Sequence, residues 1–448
     1  MRAEGSRIAV IGGGFSGVAV AAQLLRRKRP VRVTLVNRFG PVGRGVAYRT
    51  RIEAHVLNVP AGGMSGLPEE PEHFLRWARD RDASVHSGSF VSRRLYGEYL
   101  EHLLREAERD APAGALDRVV GEVLDIEHAG DSATLTFADG SRREVDRIVL
   151  ALGNYSPSDP PAEGAEFYAS ERYLRDPWIR GSLDVVQPGE SVLMLGTGLT
   201  ALDIALDLAS RGVKLPLRAI SRHGLLPQPH AASGPQPLPE LGKPPRTIRG
   251  IVSAVRRAAR SSGDWRGVVG SLRAITPDLW KELDPAERSR FLRHVRPYWD
   301  VHRHRVAPTT AEATGRMMKA SELQIRPGRV LRYEPSEGGV RVLVRPRDQS
   351  PVEALFVERV VNCTGPSSDV RRIGDRLLDA LRARGLAVAD PLRLGLEVSD
   401  DLALLDAEGR PSSFLFLVGP LMKARFWEAT AVPELRQHAA NVAKRLLP

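Results

Sequence analysis

The stretch Arg7–Gly17 has the sequence RIAVIGGGFSG, and an apolar run that continues to Leu25 follows it directly. A second stretch of the same form, Ser191–Ala201, has the sequence SVLMLGTGLTA and leads into an apolar run to Ala209. Each pattern predicts a buried strand, a Gly-x-Gly-x-x-Gly/Ala turn and a helix, the arrangement that binds the pyrophosphate of a dinucleotide. Two dinucleotide sites in one chain suit a relay in which one supplies a hydride and the other accepts it.

The glycines of such a turn have distinct tasks. The first allows a tight bend, the second lets the backbone approach the pyrophosphate, and the third position lets the helix pack on the strand. The helix then offers unpaired N–H groups and the positive end of its dipole to the phosphates. The residues in these positions are Gly12, Gly14 and Gly17 in the first copy and Gly196, Gly198 and Ala201 in the second, with Phe15 and Ser16 inside the first turn.

A second strand is predicted after each helix, over Val31–Val36 and Leu215–Ile220, and the two strands end at Asn37 and Ser221. These positions lie equally far from the first glycine of each turn, where a residue that contacts the ribose is expected. A carboxylate is usual there. Asn37 offers an amide oxygen instead, which accepts a hydrogen bond without carrying charge.

The residues after these two strands leave the choice of dinucleotide open. Ser221-Arg222-His223 supplies a guanidinium that can take a 2′-phosphate in bidentate fashion. Arg38 stands in the register of Arg222, however, so local chemistry alone does not decide which turn holds NADP.

The C-terminal stretch Phe414–Pro420 decides the assignment. It predicts a buried strand that stops at Gly419, and a helical run follows from Ala431. In flavoproteins with two dinucleotide sites, such an ending returns to the first domain and brings a helix N-terminus near the flavin. FAD is therefore predicted at the first turn and NADPH at the second, with NADH less favoured. The predicted fold class is α/β, with a glutathione-reductase-like FAD domain, an inserted NADPH domain of the same Rossmann type, and a helical insert.

Two buried runs that end at glycine, Arg147–Gly153 and Val360–Pro366, predict the crossovers between the domains. The predicted domains are an FAD domain in two parts, 1–157 and 356–448, and an NADPH domain, 158–355, with its helical insert at 245–305. The other predicted helices are Glu72–Ala78, Leu95–Ala107, Arg249–Ala259, Trp265–Ile275 and Ala286–Arg293, the last starting at Asp284-Pro285. The other predicted strands lie at Arg118–Ile126, Ala133–Phe137 and within Gln324–Arg345; Ala138–Ser141 is a hairpin turn and Pro227–Pro245 a loop.

Composition restricts the function classes. The chain has 448 residues, a net charge of +11 and one cysteine, Cys363. A single cysteine excludes a disulfide framework, a cysteine-based zinc site and the redox-active pair of a disulfide reductase, and it favours a reducing cytoplasm. Arginines are scattered among carboxylates, which disfavours nucleic acid, and no apolar run is long enough to span a membrane. No metal site is predicted, since His302 and His304 are two residues apart without a third ligand nearby.

Several further stretches, taken together, resemble the bacterial FAD/NAD(P)-binding family that includes FAD-dependent urate hydroxylase and aspartate N-monooxygenase, relatives of the class B flavin monooxygenases. The stretches are Gly40–Tyr48, Leu57–Ser65, Ser221–Pro227, Trp299–Pro308 and Trp427–Arg436, in addition to the two glycine turns. The resemblance spans nearly the whole chain. It implies a single-component monooxygenase that consumes NADPH and dioxygen and hydroxylates a small polar substrate, such as an amine, an amino acid or a purine-like heterocycle. A monomer or homodimer is expected.

The resemblance also implies cofactor contacts beyond the two turns. Those expected for FAD are Asn37 and Arg38 at the adenosine, Arg44, Val46, Ala47, Asn58, Met64 and Ser65 beside the ribityl chain and the ring, and Gly419 and Pro420 at the pyrimidine end. Those expected for NADPH are Ser221 and Arg222 at the 2′-phosphate. Further cofactor contacts are expected at Val123, Gly153, Thr364 and Gly365.

The implied cycle passes through a flavin C4a-hydroperoxide, which the protein must shield from water. Asn58 is a candidate to hydrogen-bond it, or else a turn residue before Pro60. His302 is a candidate proton shuttle, and Arg303 or Arg305 a candidate anchor for a substrate anion; the alternative for these is a structural ion-pair cluster. Trp427, with Glu428, either lines the substrate cavity or only packs. Two other functions stay open: an NAD(P)H:acceptor reductase without oxygen insertion, and a non-catalytic redox sensor.

Overall fold

The computed structural model describes residues 5–231, 236–243 and 246–448, so part of the predicted loop Pro227–Pro245 and the start of the predicted insert at 245 lie outside the described residues. The chain forms two compact units. The first comprises the residues up to Glu53, Val59–Tyr155 and Ser368–Pro448, and the second comprises Ala54–Asn58 and Ser156–Ser367.

In chain order, the described residues form the following strands and helices. Up to the first crossover, the strands are β1 (Ser6–Ile11), β2 (Val31–Asn37), β3 (Leu116–Val120), β4 (Val123–Ala129), β5 (Ser132–Phe137), β6 (Arg142–Val145) and β7 (Arg147–Leu150), and the helices are α1 (Phe15–Arg26), α2 (Gly45–Tyr48), α3 (His73–Arg79) and α4 (Arg93–Arg109). The second unit contains β8 (Tyr173–Leu174), β9 (Ser191–Leu195), β10 (Lys214–Ser221), β11 (Leu323–Ser336), β12 (Gly339–Pro346), β13 (Glu353–Val357) and β14 (Arg359–Asn362), with helices α5 (Leu199–Ser210), α6 (Ile248–Ser262), α7 (Trp265–Ser271), α8 (Thr276–Glu282), α9 (Pro285–Arg290), α10 (Arg296–Arg303) and α11 (Pro308–Lys319). The last part contains α12 (Arg376–Ala383), β15 (Ala403–Leu405), β16 (Pro411–Leu417) and α13 (Val432–Leu446).

The first unit is built on a six-stranded sheet in the order β15-β16-β7-β1-β2-β3. Strand β1 pairs in parallel with both β2 and β7, and β16 pairs in parallel with β7. The apolar run Ile8–Ile11 is buried because the strand lies in the middle of this sheet. The carboxyl ends of these parallel strands meet at one edge, where ligands bind in open α/β sheets.

The predicted strand Arg118–Ile126 is wrong as a single element. Strand β3 ends at Val120 in the main sheet, whereas β4 starts at Val123 in a separate three-stranded antiparallel sheet, β4-β5-β6. The Gly121 amide still bonds to the Asn37 carbonyl, and the chain then turns away at Glu122, whose carbonyl accepts from the Ala138 amide. The predicted hairpin turn Ala138–Ser141 does join β5 to β6.

The second unit is built on a seven-stranded sheet in the order β13-β12-β11-β10-β9-β14-β8. Strand β9 pairs in parallel with β10 and β14, and an antiparallel extension, β11-β12-β13, continues the sheet. The sequence places the return to the first domain at residue 356, whereas β14 pairs inside this second sheet. The apolar cores of the second unit lie on opposite faces of β9. Met194 belongs to one core and Leu193 to the other.

The described part of the predicted insert 245–305 is mainly helical, as predicted, from α6 to α10. Helix α9 has Asp284 as its N-cap, and the Asp284 side chain accepts from the Glu287 amide. No helix of the described ranges has both the length and the apolar character needed to cross a membrane. Within the same ranges, no three His, Cys, Asp or Glu side chains are grouped so that they could hold a metal ion.

Candidate functional site

The first glycine turn has room for backbone only. Gly12 has a φ of +121°, and a Cβ added there would approach the Ala151 carbonyl closer than the 3.0 Å that real Cβ atoms keep. A Cβ on Gly17 would overlap the Gly12 carbonyl oxygen in the same way. Helix α1 starts after Gly14 without any side-chain cap, so its first N–H groups stay available to a ligand.

A second glycine-rich loop lies against this turn. The Gly43 amide donates to the Gly13 carbonyl at 2.7 Å, and a Cβ on Gly45 would lie 3.1 Å from the Gly14 Cα. Arg44, predicted beside the flavin, donates through Nε to Glu101 on α4 at 2.6 Å. Its charge is therefore already paired within the protein, and contacts from Arg44, Val46 and Ala47 to a cofactor stay predictions.

The ends of β7 and β16 complete the cradle around α1. A Cβ on Gly419, which has a φ of +149°, would lie 3.6 Å from Ser16 Oγ and 4.0 Å from the Gly153 amide nitrogen. These residues come from three separate parts of the chain, and glycine dominates where they meet. Such a cradle fits an extended dinucleotide that must be approached closely by backbone. The FAD that the sequence predicts here therefore fits the residues present.

Three other residues that the sequence predicts to contact a cofactor have roles in the fold of the first unit. The Ser65 hydroxyl donates to the Glu70 carbonyl at 2.6 Å, and the Met64 carbonyl accepts from Tyr96 Oη at 2.9 Å. Val123 is a buried residue at the start of β4. Contacts from these three residues to a cofactor stay predictions, as does the contact from Pro420.

At the adenosine end, the Asn37 amide nitrogen donates to the Phe39 and Gly40 carbonyls at 2.8 and 2.9 Å. Its oxygen is left to accept, which suits a ribose hydroxyl. Arg38 donates to Asp375 at 2.8 Å and lies 3.3 Å from Glu122. Asp375 also caps α12, a role that its position before a helical run indicates, although nothing in the sequence links it to Arg38.

The second turn repeats the first with Cys363 in the place of Ala151. Gly196 has a φ of +109°, and a Cβ there would lie 2.6 Å from the Cys363 carbonyl oxygen. A Cβ on Gly198 would meet no atom within 4 Å, so the start of α5 faces open space that a pyrophosphate fits. The following residues, Thr364 and Gly365, lie at the end of β14, where the Thr364 hydroxyl donates to Asn362 Oδ1 at 2.6 Å.

A tight loop covers the end of β10 beside this turn. Ser221 Oγ accepts from the Gly224 amide at 3.0 Å and lies 2.8 Å from Thr197 Oγ1, which donates to the Leu225 carbonyl at 2.6 Å. The Ser221 hydroxyl therefore organises the loop. Among the described residues, no carboxylate forms an ion pair with Arg222, in contrast to Arg38.

The predicted catalytic residues His302 and Arg303 lie at the end of α10, and a charged cluster surrounds them in the second unit. Arg305 donates to the His302 carbonyl at 3.1 Å and to the Arg266 carbonyl at 2.9 Å. The guanidiniums of Arg266 and Arg305 lie 4.4 and 5.3 Å from the ring centre of Trp265. Burial, and then the charges of Arg266 and Arg303, lower the pKa of Arg305. We call Arg266, Arg303 and Arg305 the insert arginines.

His302 and Asn58 are each held by a hydrogen bond within the second unit. His302 Nδ1 donates to the Tyr298 carbonyl at 2.7 Å, which fixes the ring with Nε2 available as an acceptor when the imidazole is neutral. Asn58 belongs to the second unit, and its carbonyl accepts from His230 Nε2 at 3.0 Å. The sequence missed His230, Trp265 and Arg266, because no spacing marks them.

Trp427 and Glu428 are buried in the first unit, on the segment between β16 and α13. A place for Trp427 in the wall of a substrate cavity stays a prediction.

Replacing His230 with glutamine is expected to reduce the loss of stability in mild acid. Burial, together with Arg305, Arg266 and Arg303, lowers the pKa of His230 below the 6.5 of an unperturbed imidazole. The unfolded chain then binds this proton more readily, so the stabilisation is complete at neutral pH and is lost as the pH falls below about 6.5. Thermal midpoints measured from about pH 7.5 to about pH 5 should fall less steeply in the variant. Equal slopes would count against this account, and the exposed His294→Gln serves as the matched control.

The comparisons with known proteins agree with this geometry. Residues 9–155 match a family model described as FAD-NAD(P)-binding. A nitrosuccinic acid synthase of Aspergillus oryzae is 31% identical over 157 residues, which are 33% of this chain and 24% of that protein. The chain spans less than half the length of the curated relatives it matches.

Solved structures match over nearly the whole chain. The reduced form of ornithine hydroxylase from Pseudomonas aeruginosa has a TM-score of 0.68 at 16% identity, covering 99% of this chain and 98% of its own. The ornithine N-hydroxylase of Kutzneria sp. 744, with reduced FAD, NADP+ and L-ornithine, has a TM-score of 0.66 at 15% identity and covers 99% of both chains. The predicted fold class, with two dinucleotide-binding units, is confirmed. Residues 9–155 thus match the FAD-NAD(P)-binding family model, and the chain has the fold of these two hydroxylases.

Proposed function

We propose that this protein is an FAD-dependent, NADPH-consuming monooxygenase that hydroxylates the nitrogen of a small amine bearing a carboxylate. The observation that carries the proposal is the presence of two complete dinucleotide turns in a chain that has no pair of cysteines to form a redox-active disulfide. Cys363 is the one cysteine, it is buried, and burial raises its pKa. Electrons from the coenzyme therefore leave to a dissolved acceptor, and dioxygen is the acceptor that a flavin activates.

The chain's own residues bind and orient. In the proposed enzyme, the first compact unit binds FAD, and the second, which comprises Ala54–Asn58 and Ser156–Ser367, binds NADPH. When bound, FAD supplies the hydride acceptor and the oxygen-activating ring. Gly12, Gly14 and Gly17 hold its pyrophosphate, Asn37 its ribose, and Gly196, Gly198 and Ala201 hold that of NADPH. Asn58, fixed through its carbonyl to His230, is the proposed hydrogen-bonding residue at the reacting centre.

The insert arginines support an acidic substrate. Burial, and then the charges of Arg266 and Arg303, lower the pKa of Arg305, against the opposing charge of Asp264. A substrate carboxylate would add negative charge to this cluster and can accept bidentate hydrogen bonds from a guanidinium. The relatives point to the same chemistry. Nitrosuccinic acid is by its name a nitrogen-oxidised dicarboxylic acid, and the structural neighbours named above are ornithine hydroxylases. An α-amino dicarboxylic acid combines the amine with the anionic groups, and His302 Nε2 offers a proton acceptor for its ammonium.

The decisive experiment measures NADPH consumption and oxygen uptake together, over a panel of amino acids, with the product analysed for a hydroxylamine. The proposal expects one class of acidic amine to stimulate both rates equally, with little free peroxide. Reduction of an added acceptor that proceeds unchanged under argon would indicate a reductase instead. Tight binding of both dinucleotides with negligible turnover over the panel would indicate a redox sensor.

The proposed enzyme works in the cytoplasm, as a monomer or homodimer, on a diffusible substrate and dioxygen.

A further inference from the structure

The two arginines that follow the two ribose-reading positions have opposite electrostatic surroundings. Arg38 donates to Asp375 at 2.8 Å, and the Asp375 side chain is only 1% exposed. Glu122 lies 3.3 Å from the same guanidinium nitrogen, and Tyr155 Oη donates to Asp375 at 3.1 Å. The positive charge after the first turn is thus neutralised inside the first unit, by a carboxylate that cannot move into solvent without losing its partners.

The arginine after the second turn is instead joined by a second one. Arg347, just beyond β12, donates through its side chain to the Arg222 carbonyl at 3.4 Å and to His223 Nδ1. Its own amide donates to the Pro327 carbonyl at 3.1 Å. Gly224, with a φ of +62°, packs on the same proline, since a Cβ there would lie 3.1 Å from Pro327 Cβ. The loop after β10 and the end of β12 are therefore held together, with the Arg347 guanidinium at their junction, next to the backbone of Arg222.

We propose that Arg347, together with Arg222, forms the binding site for the 2′-phosphate of NADPH, and that Asp375 keeps such a phosphate away from the first turn. The inference rests on the proposed function for the coenzyme itself but adds the residues that sort the two dinucleotides. A phosphate dianion gains from two guanidinium forks at the second site. At the first site it meets a buried carboxylate and a guanidinium that is already compensated, so an adenosine without a 2′-phosphate, as in FAD, is accepted there.

The first test measures the affinity of the FAD-loaded protein for 2′,5′-ADP and for 5′-AMP, by calorimetry without substrate. Arg347→Gln is expected to weaken 2′,5′-ADP about tenfold or more, which is about 1.4 kcal/mol, and to leave 5′-AMP within about twofold. The matched control is Arg345→Gln, which removes the same charge from an exposed position on β12. Equal effects of the two substitutions on 2′,5′-ADP, or a wild-type protein that does not distinguish the two nucleotides, would overturn the role of Arg347.

The second test addresses Asp375 through flavin release, followed by the fluorescence of free FAD. In Asp375→Asn, which keeps an oxygen to cap α12, 2′,5′-ADP should displace FAD at a concentration about tenfold lower than in the wild type. General loosening of the site would make 5′-AMP equally effective, so only a gain specific to the 2′-phosphate supports the proposal. Its absence would refute the role of Asp375.

Neither test needs oxygen or a substrate, which separates this inference from the proposed activity. Discrimination through Arg347 in a protein without oxygen-dependent turnover would refute the monooxygenase and leave the sorting of the dinucleotides standing. Oxygen-dependent turnover with NADPH and NADH at equal efficiency would refute the sorting of the dinucleotides and leave the monooxygenase standing.

Discussion

The variant Gly17→Ala is expected to be purified with an FAD content at least about tenfold below that of the wild type. A Cβ at this position would overlap the carbonyl oxygen of Gly12, and both partners are backbone, so no side chain can move aside. Helix α1 must shift away from the turn, and overpacking of this kind costs about 1–3 kcal/mol or more. The shift also displaces the N–H groups that face the pyrophosphate. The ratio of flavin absorbance to protein absorbance measures the effect.

The chain contains its own control for this prediction. The same position of the second turn is Ala201, a residue the fold accommodates there with 2% exposure. Ala201→Gly should therefore keep normal flavin content, and so should Gly315→Ala on α11, where a Cβ would meet nothing within 4 Å. Full FAD content in Gly17→Ala would contradict the assignment of the first turn.

The second large effect is expected from Arg305→Gln. Loss of this guanidinium should lower kcat/KM for the acidic amine about 100-fold, equivalent to about 2.7 kcal/mol, because removing one member of a desolvated charge pair costs about 2–5 kcal/mol. The loss should appear mainly in KM if the arginine only anchors the substrate. Measurement of substrate-stimulated NADPH oxidation over a range of substrate concentrations separates the two constants.

Two comparisons keep this prediction specific. Arg257→Gln removes an equal charge from an exposed position on α6 and should change kcat/KM less than about twofold, since surface charges contribute little. Arg305→Lys keeps the charge without the planar fork and should recover part of the loss. An Arg305→Gln enzyme that handles the acidic amine normally would show that the insert arginines are structural.

Local sequence was enough to predict what depends on short-range backbone geometry. Both glycine turns, their helices and the strands ending at Asn37 and Ser221 follow from glycine spacing and apolar runs, and all are present. What depends on distant partners was not predictable. Arg38 and Arg222 look equivalent in the chain, and distant partners make them different: Asp375, 337 residues from Arg38, pairs with the first, and Arg347 contacts the second.

The break in the predicted strand Arg118–Ile126 has a related cause. Its apolar alternation continues across Gly121, but β3 and β4 belong to different sheets, and hydrogen bonds from other parts of the chain decide where one ends. The sequence indicates two of the three insert arginines, Arg303 and Arg305, as candidate substrate anchors. Arg266 joins them only because α7 brings Trp265 beneath both guanidiniums.

The solitary, buried Cys363 has a practical consequence for the study of this protein. Peroxide that escapes from idle turnover would find no exposed thiolate to oxidise, because the sulfur is enclosed and burial raises its pKa. A cysteine introduced at any surface position would then be the single reactive thiol of the chain. Spin labels or fluorophores could therefore be attached at chosen points without first removing the native residue, and motions during coenzyme binding could be followed in the unmodified background.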